Sequence, residues 1–379
     1  MSSESDKFDL AVVGAGIVGL ACARAAAMRG LRVVVIDRDA QANGASVRNF
    51  GFVTVTGQER GASWQRARRS CAIWQEIAPE AGIPILQRGL WLTVRRPQAL
   101  PVLEAFLRTE MGEGCELLSR AQARARCAHV VGESVQAVLH SRHEVRVESR
   151  QAIPLLADWL VKRFGVVFQR STTVIAVDPP RVETSRGTLQ AAAVAVCPGD
   201  DLGSLFAGRI ARYGVTRCKL QLLRLAAPGF DLPGTLMSDL GLLRYAGYAA
   251  PETEGLHAVI AAEQPEHLRH GVHLIVAQSA DGTLVVGDSH HYAATPDPFG
   301  EERVDALILE EFSAATGRRP PPVVERWTGT YASSPGRTMF IDAPRPDVRI
   351  AMVTSGSGAS TGFAIGEEVV QELFGAAVP

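Results

Sequence analysis

Three glycines near the start of the chain, Gly14, Gly16 and Gly19, have a spacing suited to holding phosphate groups. Gly14 permits a tight turn, Gly16 lets the backbone approach a pyrophosphate, and Gly19 allows a helix to pack closely on a strand. Asp37 follows Gly19 by 18 residues, where its carboxylate can accept hydrogen bonds from a ribose diol. The pattern predicts a dinucleotide site, with Arg38 beside Asp37 as a further contact.

The segments around these glycines predict the strand, helix and second strand that such a site requires. Residues 8–13 form a short β-type run, residues 20–28 form a helical stretch closed by Gly30, and residues 31–36 form a second strand. The helix start would offer free N–H groups and the positive end of its dipole to phosphates. The motif by itself leaves FAD and NAD open as ligands, so an NAD-dependent dehydrogenase is one alternative.

The position of the motif and the segment that follows it favour FAD. The motif lies at the extreme N-terminus, as in flavoproteins that wrap the chain around their cofactor. Residues 44–51 then form a glycine-framed polar loop instead of a crossover helix. Ser46, Arg48 and Asn49 in this loop are candidate cofactor contacts.

A second glycine-rich loop near the C-terminus also favours FAD. A β-type run at residues 348–354 leads into the small residues 355–362, and a helix is predicted over residues 363–373. The loop backbone can approach a flat ring, and the helix start would place positive partial charge where a reduced flavin holds negative charge. The cofactor contacts predicted in this segment are Gly356, Gly358, Ser360 and Thr361.

With these two ends in place, the chain resembles the D-amino-acid-oxidase-like superfamily of FAD enzymes, which includes glycine oxidase, sarcosine oxidase and D-amino-acid dehydrogenase. Val174 looks like the family's strand residue whose backbone meets the adenine, and Gly199 looks like the glycine that passes close to the flavin. Residues 281–287 resemble the hairpin strand next to the substrate, and residues 327–329 resemble a tryptophan–x–glycine strand. The resemblance covers nearly the whole chain.

The resemblance implies an α/β fold, with a Rossmann-like FAD-binding domain and a second, mainly antiparallel β substrate domain of α+β type. The FAD-binding domain would be discontinuous, drawn from residues 1–75, 148–212 and 326–379. The substrate domain would come from residues 76–147 and 213–325. Strand-like runs joined by turn residues in the second of these stretches fit an antiparallel sheet.

The resemblance also implies a reaction. Enzymes of the superfamily take a hydride from a carbon that bears an amine and pass it to flavin N5, leaving an imine that water hydrolyses. The flavin carries the chemistry, and the protein contributes orientation, desolvation and electrostatics. No obligatory acid–base residue is implied, and Tyr331 and His290 are the candidates for a catalytic role.

Two departures from the superfamily concern the substrate and the attachment of the cofactor. Amino-acid-specific members present an arginine after the tryptophan–x–glycine strand to grip a carboxylate, whereas this chain has Tyr331. An ordinary α-amino acid is therefore disfavoured as a substrate. Members that tether FAD use a histidine in the first polar loop or a late cysteine, but this chain has Arg48 in that loop and no cysteine after Cys218. Non-covalent FAD is expected.

Residues 46–53, together with residues 54–58, are similar to a branch of the superfamily associated with the breakdown of organophosphonates. This resemblance implies 2-aminoethylphosphonate or its N-methyl derivative as substrate, and phosphonoacetaldehyde with ammonia or methylamine as products. Of the neighbours His290 and His291, at most one is expected to face the pocket. The candidate anion-binding residues are Arg48, Tyr245, Tyr248, His290, His291, Tyr331, Ser333, Ser334 and Arg337.

Two further functions stay open at this point. One is a dehydrogenase or oxidase of a D-amino acid, glycine or sarcosine, in which other residues hold the carboxylate. The other is a non-catalytic FAD-binding subunit of a larger complex, although glycine signatures at both ends favour a working site. The electron acceptor is also open, with Lys219 as the candidate residue for activating oxygen.

Composition and charge limit the classes of molecule that the protein is expected to bind. Basic residues number 39 and acidic residues 40, mixed along the chain, so neither nucleic acid nor an anionic membrane surface is expected as a partner. No run approaches the ~20 apolar residues that span a bilayer, and the N-terminus lacks the pattern of a signal peptide. A cytoplasmic protein that acts on a small amine is expected. The six cysteines lack zinc-site spacing, and no metal site is expected.

Overall fold

The computed structural model describes residues 7–376. The expectation about a signal peptide rests partly on residues 1–6, which lie outside the described residues, as do residues 377–379 of the predicted FAD-binding domain. The helices are α1 (Ile17–Ala27), α2 (Ala62–Glu80), α3 (Ala99–Leu107), α4 (Arg120–Arg126), α5 (Ser149–Phe164), α6 (Ala207–Ile210), α7 (Gly241–Arg244), α8 (Thr253–Glu263), α9 (Pro265–Arg269), α10 (Glu302–Thr316) and α11 (Gly358–Phe374). The strands are β1 (Lys7–Val13), β2 (Val33–Ile36), β3 (Phe52–Val53), β4 (Ile85–Val94), β5 (Cys115–Ser119), β6 (Ala137–Val147), β7 (Val167–Gln169), β8 (Val174–Asp178), β9 (Arg181–Thr184), β10 (Gly187–Val196), β11 (Thr216–Leu225), β12 (Thr235–Ser238), β13 (Ile275–Gln278), β14 (Leu284–Gly287), β15 (His291–Ala293), β16 (Val323–Ser333), β17 (Met339–Arg345) and β18 (Val348–Val353).

The first sheet is built around β1, whose neighbours β2 and β10 run parallel to it. The sheet has the order β17-β18-β10-β1-β2-β7, with the β8–β9 hairpin attached through β9 to β10. Val13 at the end of β1 pairs with Ile36 on one side and Val196 on the other. Parallel strands that are covered on both faces consist of continuous apolar residues, and this pattern allowed them to be predicted from the sequence. The predicted α/β class with a strand–helix–strand start is confirmed.

The second sheet is mainly antiparallel and has the order β15-β11-β14-β13-β12-β4-β6-β3, with β16 paired to β11 and β5 to β6. One pair in it, β4 with β12, is parallel. The turn predicted at residues 280–283 joins β13 to β14, where Gly282 has a φ of +81° and the Ser279 amide donates to the Thr283 carbonyl at 2.8 Å. The mainly antiparallel second sheet that the resemblance implied is therefore present.

The strand β16 links the two parts of the predicted domain scheme. It pairs with β11 along almost its whole length, from Val323 to Ser333, and so belongs to the second sheet. The predicted boundary at residue 326 falls inside this strand. The strand then continues through residues 334–338 into β17 of the first sheet. The division of the chain into an FAD-binding and a substrate domain stays a prediction.

The two ends of the chain meet where α1 packs against α11. The predicted start of this last helix at residue 363 is wrong, because the helix begins at Gly358. A Cβ atom at Gly358 or Gly362 would lie 3.4 or 3.3 Å from the Ile17 side chain. The small residues read as loop therefore form the first turn of α11 and let it approach α1.

Among residues 7–376, no helix has both the length and the apolar character needed to cross a bilayer. The six cysteines are free thiols. Cys22 and Cys197 are buried with their sulfur atoms 3.9 Å apart, beneath the glycine motif at the end of β1.

We expect Gly366→Ala to destabilise the protein. A Cβ atom there would lie 2.5 Å from the Ala21 carbonyl carbon, so α1 and α11 must separate, at a cost of about 1–3 kcal/mol. The control is Gly255→Ala on the exposed face of α8, where a Cβ meets no described atom within 4 Å and helix propensity favours alanine by up to about 1 kcal/mol. Urea unfolding of both variants measures the difference. Equal stability of the two would contradict the close helix contact.

Candidate functional site

The glycine motif between β1 and α1 is shaped by its protein neighbours and leaves one side open. Gly14 has a φ of +100°, and a Cβ atom there would lie 2.4 Å from the Cys197 carbonyl oxygen. A Cβ at Gly19 would lie 1.9 Å from the Gly14 oxygen. At Gly16 the described neighbour within 4 Å is the Ser46 hydroxyl, at 3.0 Å. Packing thus requires the outer glycines, whereas Gly16 faces a cavity that a ligand can enter.

The start of α1 and the end of β2 meet at this motif. The Ile17 amide donates to the Ser46 hydroxyl at 2.9 Å, and the first turn of α1 holds no acidic residue that would oppose an anion. The Asp37 carboxylate accepts from the Ala15 amide at 2.6 Å, so it lies directly against the turn. Arg38 is exposed and pairs with Asp201 at 2.7 Å. Asp37 therefore lies beside the glycine turn, as predicted for a ribose contact, whereas Arg38 lies on the outer surface.

The first polar loop lines the same cavity and is fixed by its own side chains. The Asn49 amide nitrogen donates to the Ala45 carbonyl, and its oxygen accepts from the Gly51 amide, both at 2.7 Å. Arg48 donates to the Asn43 side chain at 3.0 Å and lies within 3.4 Å of the Thr328 carbonyl. These bonds hold the loop backbone in place beside the cavity.

The C-terminal loop presents backbone to the cavity. Gly356 has a φ of +73°, and a Cβ atom there would lie 3.0 Å from the Tyr331 ring. The side chains of Ser360 and Thr361 are used within the protein, because the Ser360 hydroxyl accepts from the Thr54 amide and the Thr361 hydroxyl donates to the Ser357 carbonyl. Gly356 and Gly358 line the cavity, so the loop can approach a flat ring through its backbone.

The remaining predicted cofactor contacts, Gly199 and Val174, lie apart from each other. Gly199 lines the cavity with a φ of +64°. Val174 is buried in β8, outside the lining of the cavity. The two glycine loops, the helix start and Gly199 together fit FAD, since they offer free backbone to phosphates at one end and to a ring at the other.

A cavity of about 710 Å³ joins these loops to a polar wall contributed by the second sheet and α7. Its volume lies in the range of small-molecule sites, which pair an apolar lining with a few placed polar groups. The polar residues of this wall are Arg244, Tyr245, His273, Asp288, His290, Tyr292 and Tyr331.

Arg244 and Tyr331 form a pair beside the C-terminal loop. The Arg244 guanidinium donates to the Tyr331 hydroxyl at 2.9 Å. Burial raises the pKa of Tyr331, so its hydroxyl keeps its proton at neutral pH. A hydroxyl that accepts from arginine and retains its proton can donate to a ligand. The pair therefore offers a cation and a neutral donor to an anion in the cavity.

The position of Arg244 is fixed by contacts of the segment that follows α7. The Gly247 amide donates to the Gly57 carbonyl at 2.9 Å. A Cβ atom at Gly247 would lie 2.3 Å from the Gln58 carbonyl oxygen, so the segment lies flat against residues 57–58. The side chain at the end of α7 is thereby directed into the cavity.

The histidine pair is split as strand alternation predicts. His290 lines the cavity, whereas the His291 ring turns away and lies 2.9 Å from the His270 ring nitrogen. His290 Nδ1 lies 2.8 Å from the Gly271 carbonyl oxygen, so this nitrogen carries the hydrogen and donates. Burial lowers the pKa of His290 to about 3, and the ring is therefore neutral at pH 7. Its Nε2 is left as an acceptor, which an anion cannot use, and we propose neither histidine as an anion donor.

Other candidates take different positions. Tyr245 lines the cavity, but Tyr248 is buried in the core against Phe106, with ring centres 4.9 Å apart. Ser333, Ser334 and Arg337 also line the cavity, and the exposed Arg337 lies over the Tyr213 ring. The Lys219 ammonium donates to Asp297 at 2.8 Å, and Lys219 is not among the residues that line the cavity with the C-terminal loop.

The sequence did not single out Arg244, His273, Asp288 or Tyr292. Asp288 and Tyr292 could have been predicted from the alternation of side chains in an extended segment. Together with His290 they occupy every second position and share a face. His273 lies beside Asp288 through backbone hydrogen bonds of 2.9 and 3.2 Å, a pairing set by the hairpin. The sequence offers no pattern that distinguishes Arg244 from the many other arginines of the chain.

Comparison with known proteins agrees with this geometry. The family described as "DAO: FAD dependent oxidoreductase" matches residues 9–372, and the chain belongs to this family. It is an enzyme, an FAD-dependent oxidoreductase. The structure is similar to glycine oxidase from Geobacillus kaustophilus, with a TM-score of 0.76 and 18% identity over 97% of this chain and 95% of that one.

Two further relatives are named for phosphate-bearing glycerol compounds. The L-alpha-glycerophosphate oxidase of Mycoplasma pneumoniae, solved with FAD bound, has a TM-score of 0.74 and 14% identity over 97% of this chain and 94% of that one. One of the subunits of the anaerobic glycerol-3-phosphate dehydrogenase of Escherichia coli K12 is 29% identical over 125 residues. That match takes in 32% of this chain and only 23% of the curated relative.

We expect Gly16→Val and Asp37→Ala to purify with depleted FAD. The valine side chain occupies space that the pyrophosphate needs, and the alanine removes the carboxylate placed for the ribose. The ratio of flavin to protein absorbance measures the loss. Gly203→Ala is the control, since Gly203 is exposed and a Cβ there meets no described atom within 4 Å. Full flavin content in either variant would show that the residue is wrongly assigned.

We expect His290 to make the fold sensitive to acid. The unfolded histidine, with a pKa of about 6.5, takes up its proton before the buried ring does. The stabilisation is therefore complete above about pH 6.5 and falls, by up to about 1.4 kcal/mol per pH unit, as pH drops towards 3. Urea unfolding at several pH values should show a shallower dependence in His290→Gln. The exposed His257→Gln is the control, and equal slopes for wild type and His290→Gln would refute the assignment.

Proposed function

Starting from an FAD-dependent oxidoreductase of this family, we propose that the chain oxidises a small amine bearing a phosphonate, namely 2-aminoethylphosphonate or its N-methyl derivative. The observation that carries the proposal is the Arg244–Tyr331 pair, an anion site next to the ring-binding loop. The proposed products are phosphonoacetaldehyde and ammonia or methylamine.

The anion site is built differently from a carboxylate clamp on β16. Tyr331 occupies the strand position, and the cation reaches the cavity from α7 instead. One guanidinium N–H is already directed at the tyrosine, which leaves the other N–H groups for a ligand. A phosphonate has three oxygens and can bind donors that converge from several sides. Tyr245 and Tyr292 line the same wall and can supply further hydroxyls.

The relatives support both halves of such a substrate. Glycine oxidase is named for a substrate with a primary amine. The glycerophosphate enzymes are named for substrates with a tetrahedral phosphate. A 2-aminoalkylphosphonate combines an oxidisable carbon–nitrogen bond with a tetrahedral anion of this kind.

The residues of the wall orient the substrate, while bound FAD would supply the two-electron acceptor. Arg244 and Tyr331 fix the anion, which places the neighbouring carbons towards the C-terminal loop. The substrate loses a hydride and its amine proton to become an imine. Water then adds to the imine carbon and releases the amine, leaving the aldehyde.

A second candidate is an oxidoreductase of glycine, sarcosine or a D-amino acid, because an arginine also binds carboxylates. A third, from another class, is a subunit that holds FAD without turnover. The polar wall favours turnover, since a cavity with a cation and a protonated tyrosine next to the cofactor loop has no evident role in cofactor retention.

We expect kcat/KM to be highest for the two aminophosphonates when they are compared with sarcosine, glycine, D-alanine and glycerol 3-phosphate. Arg244→Gln and Tyr331→Phe should lower it by roughly 10–100-fold for each lost charge-assisted contact. Arg319→Gln, an exposed arginine, is the control. If sarcosine or D-alanine matches both phosphonates, the amino-acid function replaces the proposed one, and glycerol 3-phosphate as the best substrate would refute amine oxidation altogether.

A further inference from the structure

The cavity wall opposite the glycine loops contains a buried carboxylate between two imidazoles. Asp288 and His273 are each 4% exposed and His290 is 7% exposed. His273 Nδ1 lies 3.0 Å from one Asp288 oxygen, and His290 Nε2 lies 3.9 Å from the other. All three side chains line the cavity. The cluster is therefore closed to bulk water but open to a ligand.

This cluster has more hydrogen-bond acceptors than donors. His290 donates through Nδ1 to a backbone carbonyl, so its Nε2 presents a lone pair towards a carboxylate that also only accepts. One Asp288 oxygen and both His273 ring nitrogens make no hydrogen bond of acceptable geometry with any described residue. Burying such groups without partners is costly. A compact donor that carries positive charge would satisfy these acceptors.

The charge of the cluster agrees with a cationic partner. Burial by itself raises the pKa of Asp288, but neighbouring groups, among them the Arg244 guanidinium, outweigh it and hold the pKa below its ordinary value. Asp288 is thus an anion inside the wall. A protonated amine has the charge and the three donors that the carboxylate and the His290 lone pair lack.

We propose that Asp288, together with the His290 Nε2 lone pair, binds the amine of the substrate in its protonated form, from which one proton must pass to solvent before the hydride leaves. The inference rests on the proposed function for the presence of an amine, and it adds a second anchor to the Arg244–Tyr331 pair. The wall then holds one positive and one negative group, which matches a zwitterion and selects against substrates that carry only an anion. The His, Asp and His ligand atoms lie within 4.8 Å of one another, as a metal site would require. A metal ion held by these atoms is therefore the competing occupant, and metal analysis of the purified protein distinguishes it from an amine.

The test compares ligands with and without an amine on the FAD-loaded enzyme. The probes are 2-aminoethylphosphonate, whose dissociation constant comes from the concentration dependence of anaerobic flavin reduction, and ethylphosphonate and propylamine, which are followed by perturbation of the flavin spectrum or by competition. Asp288→Asn removes the charge and keeps the shape. We expect it to weaken 2-aminoethylphosphonate by about 10–100-fold and to change ethylphosphonate binding less than about 2-fold. His290→Gln, which keeps a neutral acceptor, should cause a smaller loss, and the exposed Asp231→Asn should cause none.

Several results would overturn the amine site. Equal weakening of both phosphonates would indicate a structural role for Asp288, and an unchanged affinity for the amine would exclude it from binding. A stoichiometric metal in the purified protein that is lost in Asp288→Asn would identify a metal centre instead. If the wild-type enzyme does not bind ethylphosphonate but Asp288→Asn lowers the affinity for propylamine, the amine site is supported and the phosphonate part of the proposed function fails. If Asp288→Asn does not fold, the same comparison is made with His290→Gln, and equal affinity of that variant and wild type for the amine would refute the proposal.

Discussion

The close approach of backbone segments at a few glycines brings both ends of the chain into one site. At Gly14, Gly19 and Gly366 a single added carbon would overlap main-chain atoms of a neighbouring segment, so these contacts tolerate no side chain. They press α1 onto β1 and α11 onto α1. As a result, the glycine turn at the start of the chain and the glycine-rich loop near its end line one cavity.

The second sheet completes this cavity from the other side. β16 crosses from the second sheet towards the first and places Tyr331 against the C-terminal glycine loop. The hairpin of β13 and β14 leads into the alternating positions of Asp288, His290 and Tyr292, and α7 adds Arg244. The part of the cavity at the glycine loops therefore depends on backbone shape, whereas the wall from the second sheet and α7 is formed by a few polar side chains.

The sequence predicts the strand, turn and helix around the first glycine motif well, because glycine spacing and apolar strands are local signals. Gly14, Gly16, Gly19 and Asp37 lie where their spacing places them. The polar wall of the cavity is harder to predict from the sequence, because its residues are brought together by pairing between segments that are distant in the chain. Arg244 lines the cavity from a segment that docks on residues 57–58 through Gly247, far away in the sequence. The start of α11 was misread because its first turn consists of small residues that also suit a loop.

The most direct measurement is the visible flavin spectrum of the purified protein mixed with 2-aminoethylphosphonate in the absence of oxygen, followed by identification of the products. Bleaching of the flavin with one phosphonoacetaldehyde and one ammonia formed for each flavin reduced is the expected result. A flavin that stays oxidised with this compound and with its N-methyl derivative, but is bleached by glycine or D-alanine, would contradict the assignment of the substrate.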